Sequence, residues 1–221
     1  MHLQREIDKL KKLILALSAE VETDLRAAVR AVEERNPELA RDVIDRERLT
    51  NAMEVDVEED CLKILALYQP VAADLRYIIA VLKINQDLER IGDLAVHIAE
   101  RSLLSGSQPL PDIPFRLGEM ADLTRQLLKR VLDAFVNLSE SEAREVCLKD
   151  REIDDLNREI VQKVKAAIMQ NPAQFDSLLQ VMSIARHLER IGDHATNIAE
   201  DLIYLIEGRI VRHTDEVSDK R

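Results

Sequence analysis

One stretch of this chain is written twice. Asp87 to Glu100 reads DLERIGDLAVHIAE and His187 to Glu200 reads HLERIGDHATNIAE; ten of the fourteen positions match, LERIGD without a break, a hundred residues apart. Self-similarity at that distance means two copies of one supersecondary unit, so whatever fold the first half adopts the second must adopt as well. The 221 residues divide into halves that are each the size of a small domain.

Both units read as helical. Charged residues make up 33% and hydrophobic ones 46%, aromatics only 3% with no Trp, a mixture dominated by the residues of long helices. No sustained alternation of apolar and polar residues suggests a strand, and the fold class is all-α. Proline sets the boundaries, because it removes a hydrogen bond and restricts the residue before it. Asn36-Pro37 separates a helix over Leu3–Arg35 from one over Glu38–Tyr68, and Gln69-Pro70 opens a third over Val71–Ser105. After SGSQPLPDIP, which holds three of the six prolines, the pattern recurs over Arg116–Asn137, Glu140–Gln170 and, past Asn171-Pro172, to Glu207 with Gly208 as C-cap. Inside these runs apolar residues recur at helical spacing, as in Leu10, Leu13, Ile14, Leu17 and Val21 or Leu156, Ile160, Val164 and Ile168. Helices of about 30 residues span roughly 45 Å. Joined by short connections, each must pack antiparallel to bury its stripe. The expectation is six long antiparallel helices in two repeated three-helix bundles: residues 1–105 and 115–210, a linker at 106–114 and a polar tail at 211–221.

Charge and composition exclude several classes. A net charge of −11 disfavours nucleic acid, whose phosphates call for a basic face. It equally disfavours an electrostatic hold on anionic lipid. No apolar run reaches the roughly 18 residues of a membrane span, and the opening MHLQREIDKLKK lacks a signal peptide's apolar centre. Cys61 and Cys147 form no CxxC pair and read as buried thiols in a reducing, cytoplasmic compartment.

The repeated helix also carries chemistry. With about 100° per residue, Leu88, Ile91, Ala95, Ile98 and Ala99 fall on one core stripe. Glu89, Asp93, His97 and Glu100 lie on the other side, as do Glu189, Asp193, Asn197 and Glu200 in the second copy. Like charges at i,i+4 repel by a few tenths of a kcal/mol, so this stripe is not chosen for helix stability. Gly92 and Gly192 sit mid-helix at matched positions, each costing about 1 kcal/mol relative to Ala, which implies that a neighbouring helix or a bound group comes close to the backbone. The second helix of each half adds ligands: Asp150 and Asp154, aligned by a slide of 103 residues with Glu47 and Asn51. Oxygen donors suit Mg, Ca, Mn or iron, and His97 or His194 would add an imidazole that iron or zinc accepts. The competing reading is a solvated charged face with local Arg–carboxylate pairs.

At LERIGD on the third helix of each half, and at QPVAADLR from Gln69 to Arg76, the chain resembles the PhoU family of accessory regulators of bacterial phosphate-specific transport. The resemblance covers essentially the whole chain. It implies two similar three-helix bundles, often dimerised, with multinuclear iron or zinc clusters on E/DxxxD motifs in some members. The matching positions are Glu89 and Asp93, Glu189 and Asp193, and Asp150 and Asp154; the fourth motif reads Glu47 and Asn51, a weaker ligand set. The resemblance further implies a regulator, not an enzyme. With ample phosphate it restrains the transporter, through its ATPase subunit, and holds the phosphate-sensing histidine kinase in its repressing mode.

Rival classes leave few traces. A ferritin-like di-metal enzyme needs ExxH on two helices, and no histidine here has Glu three residues before it. HExxH, nucleophile motifs and Gly-rich nucleotide loops are absent from the sequence. The remaining alternative is a metal-binding helical scaffold without a role in phosphate signalling, or one whose acidic stripes are merely solvated.

Overall fold

The computed structural model describes residues 2–104 and 116–209. The described part of the chain forms six α-helices: α1 (His2–Glu33), α2 (Pro37–Tyr68), α3 (Ala72–Leu104), α4 (Leu117–Asn137), α5 (Glu140–Gln170) and α6 (Phe175–Glu207), with a single 3-10 turn (Pro172–Gln174) before α6. Among the described residues there is no strand. The expected linker, Ser105 to Pro114, and the tail from Arg212 lie outside the described residues.

Local chemistry accounts for the ends. The Asn36 side chain accepts from the Glu38 and Leu39 N–H groups at 3.0 and 3.2 Å, and Pro37 sits at the first helical position, where its missing N–H costs nothing. Ser139 caps α5 by accepting from the Glu142 N–H. Gly208 ends α6 at φ 72°, its N–H bonded to the Tyr204 carbonyl 2.8 Å away.

Helices α1–α3 form one antiparallel bundle and α4–α6 the other. The motif helices α3 and α6 pack on each other along the seam between the bundles, α1 touches α4 across it, and α2 and α5 lie against α3 and α6 respectively. Leu17, Leu25, Ala28 and Val29 of α1 are buried, and so are Met120, Leu128, Val131 and Leu132, each 103 residues later. The same offset relates Ala40, Val43, Val57 and Cys61 of α2 to Ala143, Val146, Ile160 and Val164 of α5. Along α3 and α6 the offset is 100, as Ile84, Leu88 and Ile91 against Ile184, Leu188 and Ile191 show. Gly92 faces Thr50 and Gly192 faces Ile153, their counterparts at the two offsets, so the helices keep their mutual register and the three-residue difference is taken up between the second and third helix of each half. Full burial of each large aliphatic side chain contributes about 1.5–3 kcal/mol, which sets this register firmly.

Candidate functional site

In the second half, α5 and α6 bring three carboxylates together. Asp150 is fully buried, Asp154 half-buried and Asp193 exposed, and one oxygen from each lies within 4.8 Å of the other two. Among the described residues this is the one such grouping of acidic, histidine or cysteine side chains. Glu189, one turn before Asp193, completes the face; burial first, then Asp193 and Asp154, hold its carboxyl above the ordinary range. Gly192 makes the arrangement sterically possible. A Cβ at that position would stand 2.7 Å from Asp150 Oδ1 and 3.3 Å from Ile153 Cδ1. The backbone approach inferred from this mid-helix glycine is therefore made by an acidic side chain of the neighbouring helix.

The first half is built differently at the matched positions. Glu47 is half-buried and Asn51 exposed on α2, while Glu89 and Asp93 are half-buried on α3. Arg90 spans the last two, with Nε 3.2 Å from Glu89 Oε2 and Nη1 3.4 Å from Asp93 Oδ2. Burial, then Asp93, raises the Glu89 carboxyl above its usual range. A Cβ at Gly92 would meet only Thr50 Cγ2 at 3.4 Å and Val21 Cγ2 at 4.0 Å, ordinary van der Waals contact. Glu47, Glu89 and Asp93 do not converge into a three-acid grouping.

Several polar groups of these faces were not legible as site residues. Asp24 of α1 is 2% exposed, receives the Thr50 hydroxyl hydrogen bond at 3.1 Å and pairs with Arg46 Nη2 at 2.5 Å. Burial still raises its carboxyl, outweighing Arg46 and Thr50, which pull it down. An acid on the apolar stripe Leu17, Val21, Leu25, Ala28 was the available signal. Glu54 also joins the Glu89 face, fixed by Asn85, which donates to its carbonyl at 3.0 Å and its Oε1 at 3.1 Å. Along the adjoining α3–α6 seam, Glu54, Lys83, Gln86, Asp87, Glu89, Arg90 and Asn197 line a cleft of about 630 Å³.

The histidines expected beside the carboxylates are engaged elsewhere. His194 Nδ1 lies 2.8 Å from Asp87 Oδ1, and Asn197 donates to the same oxygen at 3.2 Å, both across the seam. His97 stacks on His187 with ring centroids 5.4 Å apart. Burial, with His97, Arg101, Arg190 and Arg186 adding positive charge, pushes His187 down to about 4. Both cysteines are free and buried, and burial pushes each thiol up to about 12.

The PhoU domain profile matches residues 14–102 and again 117–202, one copy for each bundle. The chain belongs to the PhoU family. It is 33% identical over 208 residues to the phosphate-specific transport system accessory protein PhoU of Escherichia coli K12, covering 94% of this chain and 86% of that protein. The PhoU homolog of Aquifex aeolicus is 35% identical over 214 residues, 96% of each chain. The crystal structure of PhoU from Pseudomonas aeruginosa superposes with a TM-score of 0.91 at 32% identity, covering 93% of this chain and 99% of that one. The phosphate transport system regulatory protein PhoU of Streptococcus pneumoniae gives 0.87 at 28% identity, over 95% and 99%. No described helix is long and apolar enough to cross a membrane.

Proposed function

We propose that this chain is the accessory regulator of a phosphate-specific transporter, an adaptor that restrains uptake when phosphate is plentiful. The observation that carries the reading is that both PhoU domains are present and that relatives named as accessory proteins of this system align over 94% of the chain. Its partners in this reading are the transporter's ATPase subunit and the phosphate-sensing histidine kinase, met from the cytoplasmic side, and the protein works as a homodimer. Long bundles offer rigid side faces suited to such contacts, and the acidic faces on α2–α3 and α5–α6 are the surfaces we assign to them. The protein is not an enzyme in this reading: its carboxylates form a binding face, and both thiols are buried.

The second half fits a metal. Three oxygen donors within 4.8 Å, with a fourth carboxylate one turn away and a glycine that leaves room for the buried one, make a donor set for a hard divalent or ferric ion. Asp150, Asp154, Asp193 and Glu189 would hold iron or zinc, which would neutralise their mutual repulsion and tie α5 to α6. The first-half residues Glu89, Asp93, Glu47 and Asn51 fit less well, because they do not converge into a three-acid grouping and Asn51 supplies an amide in place of a carboxylate.

The test is expression of phosphate-starvation genes in phosphate-rich medium with and without this gene. Constitutive expression on deletion is expected. Unchanged expression, in a strain with no second copy of the gene, would overturn the regulatory reading and favour a metal-binding scaffold outside phosphate signalling.

A further inference from the structure

The α3–α6 seam relates the two halves by a pseudo-twofold axis: the helices run antiparallel, with Asp87 meeting Asn197 and His97 meeting His187. Positions near one end of the seam therefore have counterparts near the other. At the end where α1 finishes and α4 begins, a cavity of about 240 Å³ opens between four helices. Ile98 of α3 and Ile184 and Leu188 of α6 back it, all buried. Val29 and Val32 of α1 form one side, and Leu117, Gly118 and Ala121 of α4 the other. Glu33 and Arg35, one charge of each sign, stand exposed at its rim.

At the opposite end the matched positions are filled. In the registers of 103 and 100 residues Val29 becomes Leu132, Val32 becomes Phe135 and Gly118 becomes Leu15, while the backing residues become Ile198, Ile84 and Leu88. Phe135 and Leu132 are buried there, together with those backing residues. One end thus encloses a phenyl ring of the chain itself, where the other has only the isopropyl group of Val32 and a glycine. Neither backbone nor packing asks for that glycine. Gly118 lies in the first turn of α4, outside the left-handed region, and a Cβ on it would meet only Glu33 Oε1, at 3.9 Å. The cavity is therefore a side-chain deficit in an otherwise repeated layer. Its volume suits a ring, since about 150 Å³ walled by aliphatic side chains is enough to hold benzene.

We propose that this cavity is a binding site for a single aromatic ring of benzyl size, supplied from outside the chain to the place that Phe135 fills at the opposite end. Shape and desolvation select the ring, because the two opposite charges at the rim give no net preference for an ion. A free aromatic molecule and an aromatic side chain of a partner polypeptide share this chemistry. The site stands apart from the carboxylate faces and does not rest on the regulatory reading, since binding is read directly on the isolated protein.

The test is methyl-resolved NMR of the full chain titrated with benzyl alcohol and, separately, with N-acetyl-phenylalanine amide. Saturable shifts of the Val29, Val32, Ile98 and Ile184 methyls are expected with benzyl alcohol, at a dissociation constant of about 1 mM. Binding of the amide as well assigns the ring to a partner polypeptide, and binding of benzyl alcohol alone assigns it to a free molecule. Val32→Phe with Gly118→Leu, which imports the residues of the filled end, should weaken binding at least about tenfold. Gly118→Leu alone, at an exposed first-turn position, gives the same readout if the double variant does not fold. Absence of saturable shifts at these methyls with either probe, or unchanged affinity in a folded variant with the cavity filled, would overturn the proposal.

Discussion

The two halves share a backbone plan and differ in where they bury charge. In the first half the acid sits on α1: Asp24 is held by Arg46 and Thr50, between apolar neighbours. The positions 103 residues later are Leu127, Lys149 and Ile153, of which Leu127 and Ile153 are ordinary core. In the second half the acid sits on α5, where Asp150 lies against Gly192 and beside Asp154 and Asp193. Its first-half counterpart, Glu47, is only half-buried. Asp24 is thus neutralised from within its own half, whereas Asp150 is grouped with further acids; the second half also buries Asp201, which pairs with Lys83 of the first half across the seam. A duplicated fold can keep its packing and still divide its roles, because the core register and the polar layer are set by different residues.

The largest effect expected from breaking this contrast is at Asp24. Asp24→Ala removes one side of a buried pair and should destabilise the protein by about 3 kcal/mol in chemical denaturation. Asp24→Leu combined with Thr50→Ile imports the second half's pair and should recover most of that loss. A cost below about 1 kcal/mol for Asp24→Ala would show that the pair is not structural.

Metal linkage sharpens the other side. Zinc or ferrous iron at a hundred times its dissociation constant should stabilise the wild type by about 2.7 kcal/mol. That corresponds to roughly 5–10 °C in melting temperature. Asp150→Asn with Asp193→Asn should erase the shift, whereas Glu89→Gln with Asp93→Asn should leave most of it. Equal loss in the two variants would mean that the halves bind alike and the contrast is wrong.

A smaller, opposite-signed pair of effects is expected at the glycines. Gly192→Ala forces a methyl to 2.7 Å from Asp150 Oδ1 and should cost about 1–2 kcal/mol net of the gain in helix propensity. Gly92→Ala, with its nearest contact at 3.4 Å, should be neutral or stabilising by up to about 1 kcal/mol. Urea unfolding of the two variants measures both, and equal changes would deny that Gly192 exists for Asp150.

Much of this molecule is legible along the chain. Repetition of LERIGD, helical apolar spacing and X-Pro boundaries determine six helices in two bundles, because burial of a periodic stripe and the chemistry of proline are local properties. The α2–α5 alignment that pairs Glu47 with Asp150 is likewise readable as a slide of 103 residues, and the buried residues follow it. What only the tertiary structure decided is which polar groups meet. Glu89 and Asp93 look identical to Glu189 and Asp193 in sequence, yet Asp193 meets Asp150 and Asp154 of the neighbouring helix while Asp93 joins no such grouping. His97 and His194 lie close to the motifs along the chain, but they turn into the seam because α3 packs on α6. Contacts of this kind depend on the rotation and axial shift of whole helices against one another. Those are fixed by the summed packing of the core, not by any residue's neighbours in sequence.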